Sequence, residues 1–309
     1  MKNLVRFMMG AFIGLIGGYF LWRELREVRA SKPFWAIVHK PGTALITGAS
    51  SGIGAVFARR LAKKGYDLIL VARREERLQE LASELSHRYP TRCDVLAADL
   101  STSEGIEQVA QTISNVDRLS LLINNAGFGT TGLFAEIRGD RQRDMVRVHI
   151  EACVRLTHAA LPNMIREGYG GIINVSSIAA YFRPLRGANY CASKAYLNAF
   201  SEALQAELRG TGVKIQALCP GFTYTEFHYT PEFTQADRPT LPEIFWTTAE
   251  EVVDYSLAAL GHSRVIVIPG LINRAAILAA RLGFGALITL ITQRVLHSSA
   301  TSSNTHHQT

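Results

Sequence analysis

Cysteine is scarce in this sequence of 309 residues, and the few cysteines present form no pattern. The four are Cys93, Cys153, Cys191 and Cys219, and no two of them form a CxxC pair or a metal-ligand spacing. We therefore expect no metal site, and we predict buried or half-buried thiols in a reducing compartment.

Clustered positive charge is also missing, although the formal net charge is +7. The Lys and Arg residues are scattered, and no basic run is interleaved with aromatic residues, so nucleic-acid binding is not expected. Internal repeats are absent as well. With 48% hydrophobic residues, the chain is long enough to form one large α/β domain.

Charge is absent from the N-terminal run between Phe7 and Trp22. As a helix this run spans about 24 Å, and extension to Leu4 brings it near the roughly 30 Å of a bilayer core. We predict a membrane anchor within residues 1–32, followed by a linker at 33–42. The basic residues that follow Trp22 predict a main domain facing the cytoplasm. The alternative is a helix docked on the soluble body.

A glycine-rich segment follows the first predicted strand, Ala44–Thr47. It reads TGASSGIG and precedes a helical pattern, and a second strand, Asp67–Ala72, comes about 20 residues later. Glycines in such a turn let the backbone approach a ligand, and the helix N-terminus favours a pyrophosphate. The order of these elements predicts a dinucleotide site at Gly48, Ser50, Ser51, Gly52, Ile53 and Gly54.

Arginines stand where the second strand ends. Arg73 and Arg74 follow Ala72, and no carboxylate appears before Glu75. Arginine at this place suits the 2′-phosphate of NADP(H), whereas a carboxylate would suit the 2′-hydroxyl of NAD(H). We predict NADP(H) as the cofactor. The alternative is that both arginines only begin a solvated helix.

Three later strands end in residues suited to the same ligand. Val95–Ala98 precedes Asp99 and Leu100, and Leu121–Ile123 precedes the NNAG sequence that contains Asn125, Ala126 and Gly127. Val213–Leu218 precedes Pro220, Gly221, Thr223 and Thr225.

A serine, a tyrosine and a lysine follow the strand Ile172–Val175. Tyr190 and Lys194 are four residues apart on a predicted helix and therefore share one face, and Ser177 lies at the strand end. An ammonium beside a phenol lowers the pKa of the phenol from about 10, which suits proton exchange with a carbonyl. The alternative for an isolated YxxxK is a surface helix.

Together these motifs resemble the short-chain dehydrogenase/reductase family. TGASSGIG, NNAG, Ser177, the YxxxK pair and PGxxxT occur in the family's order between about Thr43 and Ile268. The resemblance implies one doubly wound Rossmann-type α/β domain at 43–270 with a mostly parallel sheet of about seven strands. It also implies Tyr190 as general acid/base, Lys194 on the nicotinamide ribose, and Ser177 on the carbonyl oxygen. Asp99 would contact the adenine, and residues 220–225 the carboxamide.

One residue departs from the family pattern. RVHIEACVRLT places His149 where the family usually has an asparagine that helps hold a water of the proton relay. A histidine can also bind a water, so His149 is a candidate catalytic residue. Alternatively, the substitution is structural and the relay is impaired. A cofactor-binding scaffold or redox sensor without turnover is therefore the alternative to an NADP(H)-dependent enzyme.

The substrate side is predicted to be apolar. Aromatic residues are frequent between Gly221 and Thr248, which suggests a lipophilic carbonyl substrate. Residues 271–297 are expected to form an apolar helical segment, and residues 298–309 a disordered tail. The resemblance further implies a homodimer or homotetramer. An N-terminal anchor joined to a reductase domain of this family resembles the arrangement of membrane-bound hydroxysteroid dehydrogenases and 3-ketoacyl reductases.

Overall fold

A computed structural model describes residues 41–130, 132–182, 186–229, 241–262 and 264–281. The predicted anchor at 1–32, most of the linker at 33–42, most of the C-terminal segment at 271–297 and the tail at 298–309 lie outside these residues. Within the described part of the chain, no helix has the length and apolar character needed to cross a membrane.

Strands and helices alternate through the first half of the domain. The strands are β1 (Thr43–Thr47), β2 (Asp67–Ala72), β3 (Cys93–Ala97) and β4 (Leu119–Asn124). The helices between them are α1 (Gly52–Ala62), α2 (Glu75–Arg88) and α3 (Ser103–Ser114). Helix α3 begins where the Thr102 side chain accepts a hydrogen bond of 3.0 Å from the Gly105 N–H, so an otherwise unpaired donor is satisfied.

The second half adds the helices that carry the predicted catalytic residues. Its helices are α4 (Gly139–Val146), α5 (Ala152–Glu167), α6 (Ala188–Glu207), α7 (Ala249–Ala259) and α8 (Leu271–Ala279). Its strands are β5 (Gly170–Val175), β6 (Val213–Leu218), β7 (Phe222–Tyr224), β8 (Trp246–Thr248) and β9 (Ile266–Val267). Short 3₁₀ turns occupy Ile178–Tyr181, Glu226–Tyr229 and Glu243–Phe245.

The main sheet has seven parallel strands in the order β3-β2-β1-β4-β5-β6-β9. The predicted doubly wound fold with about seven strands is confirmed. The chain leaves β1 toward β2 and later returns to the opposite side at β4, so the strand order reverses between β1 and β4. Ligands of open α/β sheets bind at the carboxyl ends of the strands beside such a reversal.

The two faces of the sheet bury separate apolar cores. In β1, Ala44 and Ile46 belong to one core and Leu45 belongs to the other, because successive strand residues face opposite sides. Phe57 of α1 packs in the first core and Leu156 of α5 in the second. Full burial of one such side chain contributes about 1.5–3 kcal/mol, so the two cores hold the strand ends in fixed positions.

Two local features were not predicted. The helix expected over about 140–166 contains a π-helical turn at Arg147–Glu151, where the Ala152 N–H bonds to the Arg147 carbonyl. Strands β7 and β8 form a separate two-stranded parallel sheet in the segment after β6, with Phe222 opposite Trp246. The strand predicted at Val265–Ile268 is shorter and covers only Ile266–Val267.

Candidate active site

The glycine-rich loop joins β1 to α1 at the carboxyl edge of the sheet. Gly48 has φ of +66°, a backbone conformation that side chains disfavour. A Cβ on Gly54 would lie 2.3 Å from the Gly48 carbonyl oxygen, so only glycine permits this tight turn. The predicted glycine roles in the turn therefore agree with its geometry.

The N-terminus of α1 lies within this glycine-rich segment. Ser51 is the N-cap residue, yet its side chain makes no capping hydrogen bond. The first N–H groups of the helix are thus left for an anionic ligand, and the positive end of the helix dipole favours one. Ile53 packs against the first core and fixes the start of the helix.

Asn125 holds the loop in place. Its amide donates to the carbonyl oxygens of Thr47 at 2.9 Å and Gly48 at 3.2 Å. The Thr47 hydroxyl accepts from the N–H groups of Asn125 and Ala126, both at 3.0 Å. Asn125 was predicted to line the ligand site, and its side chain instead clamps the turn. Thr47 was missed, although it directly precedes Gly48 in the motif.

Arg74 is the arginine directed at the glycine-rich loop. Its Nη2 lies 2.9 Å from both the Ser50 and the Ser51 hydroxyl oxygens, and its Nε lies 3.2 Å from that of Ser50. Two hydroxyls and a guanidinium form a donor set suited to phosphate. Arg73 is exposed beside them. The structure therefore distinguishes two arginines that the sequence treated alike.

Asp99 and Leu100 lie beyond the end of β3, as predicted. One carboxylate oxygen of Asp99 accepts from the N–H and the hydroxyl of Ser101 at 2.9 and 2.8 Å. These bonds orient the carboxylate and leave its second oxygen for a ligand such as the adenine amino group. Leu100 is buried and lines a small cavity beside His149.

Ser177, Tyr190 and Lys194 meet at the carboxyl end of β5. Ser177 follows this strand, and its hydroxyl accepts from the Ala179 N–H at 3.1 Å and bonds to Tyr190. Tyr190 and Lys194 lie on α6, and the Lys194 ammonium is 5.6 Å from the centre of the Tyr190 ring. Lys194 is 5% exposed and donates to the Val175 carbonyl at 2.8 Å. The three predicted residues are brought together.

The expected effect of Lys194 on Tyr190 is not found. Burial raises the pKa of Tyr190 to about 12, and the Ser177 hydrogen bond opposes that shift only in part. Burial also lowers the pKa of Lys194 to about 8. The ammonium donates to the Val175 carbonyl and lies over the Tyr190 ring, 5.6 Å from its centre. Burial therefore outweighs its influence and keeps the phenol protonated at neutral pH.

His149 has no ring nitrogen free for a relay water. Its Nε2 accepts from the Phe128 N–H at 3.1 Å, and its Nδ1 lies 2.9 Å from the Ser193 hydroxyl oxygen. That hydroxyl donates to the Tyr190 carbonyl at 2.8 Å, so Nδ1 carries the proton and donates to Ser193. Because protein groups bond to both ring nitrogens, this geometry favours the alternative in which the histidine has a structural role.

Burial determines the charge of His149. The side chain is 2% exposed, and burial, with the nearby Lys194, lowers its pKa well below 6.5. The neutral ring stands edge-on to Tyr190 with 5.7 Å between ring centres. It lies in the π-helical turn, a distortion that often occurs at functional sites. His149 thus positions the loop at Phe128 and the helix that carries Tyr190.

A buried polar network lies behind these residues, and the sequence did not indicate it. The Asn124 amide donates to the Thr157 hydroxyl at 3.2 Å and to the Asn174 side-chain oxygen at 2.9 Å. Asn174 donates in turn to the Ser201 hydroxyl at 3.0 Å. These bonds join β4, β5, α5 and α6, so the elements that carry the site are held by polar as well as apolar contacts.

The segment after β6 lies across the mouth of the site. Pro220 accepts from the Ile178 N–H at 2.9 Å, and Gly221 packs against Asn273. The Thr223 hydroxyl donates to the Gly221 carbonyl at 3.0 Å. Thr225 lies against Gly52, so this predicted cofactor segment reaches the glycine-rich loop.

Aromatic side chains lie beside Tyr190 and His149. Phe227 lies 6.0 Å from Tyr190 between ring centres, and Phe128 lies 5.9 Å from His149. Phe134 and Ile244 are exposed by 62% and 68%, although they are large and apolar. Part of the predicted aromatic insert, residues 230–240, lies outside the described residues.

The glycine-rich loop, the helix N-terminus and the Arg74 cluster fit a dinucleotide that carries a 2′-phosphate. Tyr190 lies at the carboxyl edge of the same sheet, where the reactive end of such a ligand would be held. Among the described residues, no group of three or more His, Cys, Asp or Glu side chains is placed to bind a metal ion.

Curated relatives with similar sequences bear the names of oxidoreductases. Hydroxysteroid dehydrogenase-like protein 1 of Gallus gallus is 31% identical over 224 residues, which are 72% of this chain and 66% of that protein. Sulfoacetaldehyde reductase 2 of Chromohalobacter salexigens is 40% identical over 187 residues, 59% of this chain and 73% of that protein. Inactive hydroxysteroid dehydrogenase-like protein 1 of Homo sapiens is 33% identical over 185 residues, 59% of this chain and 56% of that protein.

Solved structures with the same fold include a short-chain dehydrogenase from Sphingobium yanoikuyae in complex with NADPH. It is 33% identical, with a TM-score of 0.71 over 80% of this chain and 96% of that chain. The bulky-bulky ketone specific alcohol dehydrogenase from Comamonas testosteroni is 32% identical, with a TM-score of 0.67 over 79% of this chain and 93% of that chain.

The matching sequence family carries the description short chain dehydrogenase, and its model covers residues 42–233. That range begins just before β1 and includes the glycine-rich loop, Ser177, Tyr190 and Lys194. This chain therefore belongs to the short-chain dehydrogenase family.

Proposed function

We propose that this protein is an NADP(H)-dependent oxidoreductase that interconverts a lipophilic ketone and its secondary alcohol, with Tyr190 as proton donor and acceptor. The observation that carries the proposal is the meeting of Ser177, Tyr190 and Lys194 at the carboxyl end of β5. This cluster shares one sheet edge with the glycine-rich loop and Arg74, so a single dinucleotide can reach both.

The cofactor supplies or accepts the hydride when bound, and the protein positions the reactants and moves a proton. Ser177 donates its hydroxyl proton toward the carbonyl oxygen and orients it. Tyr190 then gives its phenolic proton to that oxygen as negative charge develops there. Its raised pKa, about 12, keeps it protonated at neutral pH, which is the state that a proton donor needs. In this proposal, Lys194 contacts the nicotinamide ribose.

The cofactor preference rests on the phosphate-binding donors. Ser50, Ser51 and Arg74 form a cluster at the end of the glycine-rich loop, where the adenosine ribose lies in dinucleotide-binding folds. A 2′-phosphate bonds to such donors, whereas a 2′-hydroxyl gains little from a guanidinium. The NADPH complex of the Sphingobium relative supports the same choice.

A lipophilic substrate is supported by the apolar surroundings of Tyr190. Phe227 lies beside the Tyr190 ring and Phe128 beside the His149 ring. The Comamonas structure, described as specific for bulky-bulky ketones, agrees with this substrate class. The name of the Chromohalobacter relative points instead to a small polar aldehyde, so a substrate screen should include both kinds.

Titration with NADPH and NADH, followed by fluorescence, is the first test. We expect tight NADPH binding, weaker NADH binding, and loss of NADPH absorbance with bulky ketones. Tyr190→Phe should bind NADPH normally but lose turnover by about 10²–10⁴-fold. Tyr196→Phe is the matched control, because Tyr196 lies on the same helix and is 41% exposed. Binding of neither nucleotide would refute the proposal.

A non-catalytic scaffold or redox sensor is the second candidate. It is favoured by His149 in place of the family's asparagine and by the human relative named inactive. In that case Tyr190→Phe and the unaltered protein would bind NADPH equally, and neither would reduce any ketone in the screen. Turnover that Tyr190→Phe abolishes would eliminate this candidate.

We also propose that residues 1–32 tether the catalytic domain to a membrane on its cytoplasmic side and that the protein forms a homodimer or homotetramer. The tether is supported by the uncharged run from Phe7 to Trp22 and its basic flank. Full-length protein should remain in the membrane pellet after a carbonate wash, and a variant that lacks residues 1–32 should not. Light scattering in detergent measures the oligomeric state.

A further inference from the structure

The arginines at the proposed 2′-phosphate site already bind an acidic side chain of this chain. Arg74 donates through Nη1 to a carboxylate oxygen of Glu226 at 3.1 Å. Arg77 donates through Nη1 to both oxygens of Glu226 at 2.8 Å. One carboxylate therefore bridges two guanidinium groups, as a phosphate group can.

Glu226 reaches these arginines from the segment after β6. It begins the 3₁₀ turn Glu226–Tyr229, and its neighbour Phe227 lies 6.0 Å from the ring of Tyr190. Its other neighbour, Thr225, lies against Gly52 of the glycine-rich loop. The residues that flank Glu226 thus contact the glycine-rich loop and Tyr190, while Glu226 itself contacts Arg74 and Arg77.

The negative charge of Glu226 opposes the binding of a phosphate group at Arg74 and Arg77. Hydrogen bonds from Arg77 and then Arg74 lower the pKa of Glu226, so the carboxylate is ionised at neutral pH. Arg74 uses its remaining donors on Ser50 and Ser51, which places the carboxylate next to the hydroxyls that would bind phosphate. A 2′-phosphate at this position meets a negative charge and must share or replace it at the guanidiniums.

We propose that Glu226 determines cofactor affinity by competing with the 2′-phosphate of NADP(H) for Arg74 and Arg77. This inference rests on the proposed use of NADP(H). Binding of the 2′-phosphate releases Glu226 from the two arginines, whereas a nucleotide without that phosphate leaves the ion pairs intact. Glu226 is a specificity residue by this account and does not touch the reacting atoms.

The ion pairs are weak enough to be exchanged. The side chains of Arg74, Arg77 and Glu226 are 44%, 45% and 51% exposed, so water and salt screen them. Removal of one exposed charge next to a phosphate changes affinity by about three- to tenfold. We expect Glu226→Gln to bind the phosphate-bearing ligand more tightly by that factor.

Calorimetric titration with adenosine 2′,5′-bisphosphate tests the proposal without turnover, and 5′-AMP is the comparison ligand. Glu226→Gln should bind the bisphosphate about three- to tenfold more tightly and 5′-AMP unchanged. Glu243→Gln is the matched control, because Glu243 is another exposed carboxylate in a 3₁₀ turn of the same region. In an Arg74→Met/Arg77→Met background, the gain from Glu226→Gln should disappear.

Other results would overturn the proposal in distinguishable ways. Equal bisphosphate affinity in Glu226→Gln and Glu243→Gln, or weaker binding in Glu226→Gln, would refute the competition while the use of NADP(H) stands. An equal gain in affinity for 5′-AMP would show that Glu226 repels any anionic ligand and does not compete specifically with the 2′-phosphate. Failure of the unaltered protein to bind both NADPH and the bisphosphate would refute this inference and the proposed function together.

Discussion

The Nδ1 atom of His149 lies 2.9 Å from the hydroxyl oxygen of Ser193, which directly precedes Lys194 and lies about one turn after Tyr190 on the same helix. The same ring accepts the Phe128 N–H, so one side chain ties the loop after β4 to α6. A histidine spans this gap because its two nitrogens point to opposite sides of the ring.

Replacement of His149 by asparagine, the usual residue of the family, should destabilise this protein. The shorter amide cannot reach both Phe128 and Ser193, and a buried donor or acceptor left unpaired costs about 1–3 kcal/mol. Urea unfolding at pH 7 measures the loss. His158→Asn should change stability by less than about 0.5 kcal/mol, because His158 is an exposed residue on α5. Equal stability of the two variants would contradict the positioning role.

The stability of the protein should depend on pH through His149. The folded protein keeps this ring neutral well below pH 6.5, whereas the unfolded chain protonates it near 6.5. The unfolded state therefore binds more protons below that pH, and stability falls as the pH falls. The contribution is complete above about pH 6.5 and declines by up to about 1.4 kcal/mol per pH unit below it.

Urea unfolding of the unaltered protein and of His149→Asn between pH 7.5 and 5 measures this contribution. The stability difference between the two should narrow as the pH falls, since only the unaltered protein loses the His149 contribution. A difference that stays constant or widens toward pH 5 would show that the ring is protonated in the folded state.

Arg74 and Arg73 should affect cofactor binding differently. Arg74→Ala removes the guanidinium that contacts Ser50 and Ser51, and we expect NADPH affinity to fall about tenfold or more with little change for NADH. Arg73→Ala is the adjacent control and should leave both affinities within about twofold, because the hydrogen bonds to Ser50 and Ser51 come from Arg74. A larger loss of NADPH affinity in Arg73→Ala than in Arg74→Ala would show that Arg73, and not Arg74, binds the 2′-phosphate.

Gly54→Ala should impair both folding and nucleotide binding. The added Cβ would lie 2.3 Å from the Gly48 carbonyl, a backbone atom that cannot move without opening the turn. We expect a loss of about 1–3 kcal/mol in unfolding free energy and weaker binding of both nucleotides. Gly139→Ala is the control, because no atom lies within 4 Å of its Cβ position. Thermal melts with and without NADPH compare the two variants.

The sequence was sufficient for the fold and for the identity of the clustered residues. Strands and helices could be predicted because they depend on local side-chain periodicity. The motifs follow predicted strands, so TGASSGIG and the Tyr190–Lys194 pair predicted a dinucleotide site beside a tyrosine. The seven-stranded parallel sheet confirms that architecture.

Tertiary structure alone decided what each of these side chains contacts. Thr47 and Asn125 are far apart in sequence, yet their hydrogen bonds shape the glycine-rich loop. Burial, a property of the packed chain, keeps His149 neutral and raises the pKa of Tyr190 to about 12. The sequence spacing of Tyr190 and Lys194 had predicted a lowered pKa for the tyrosine. Hydrogen bonds and desolvation depend on three-dimensional neighbours, which periodicity and motif spacing do not specify.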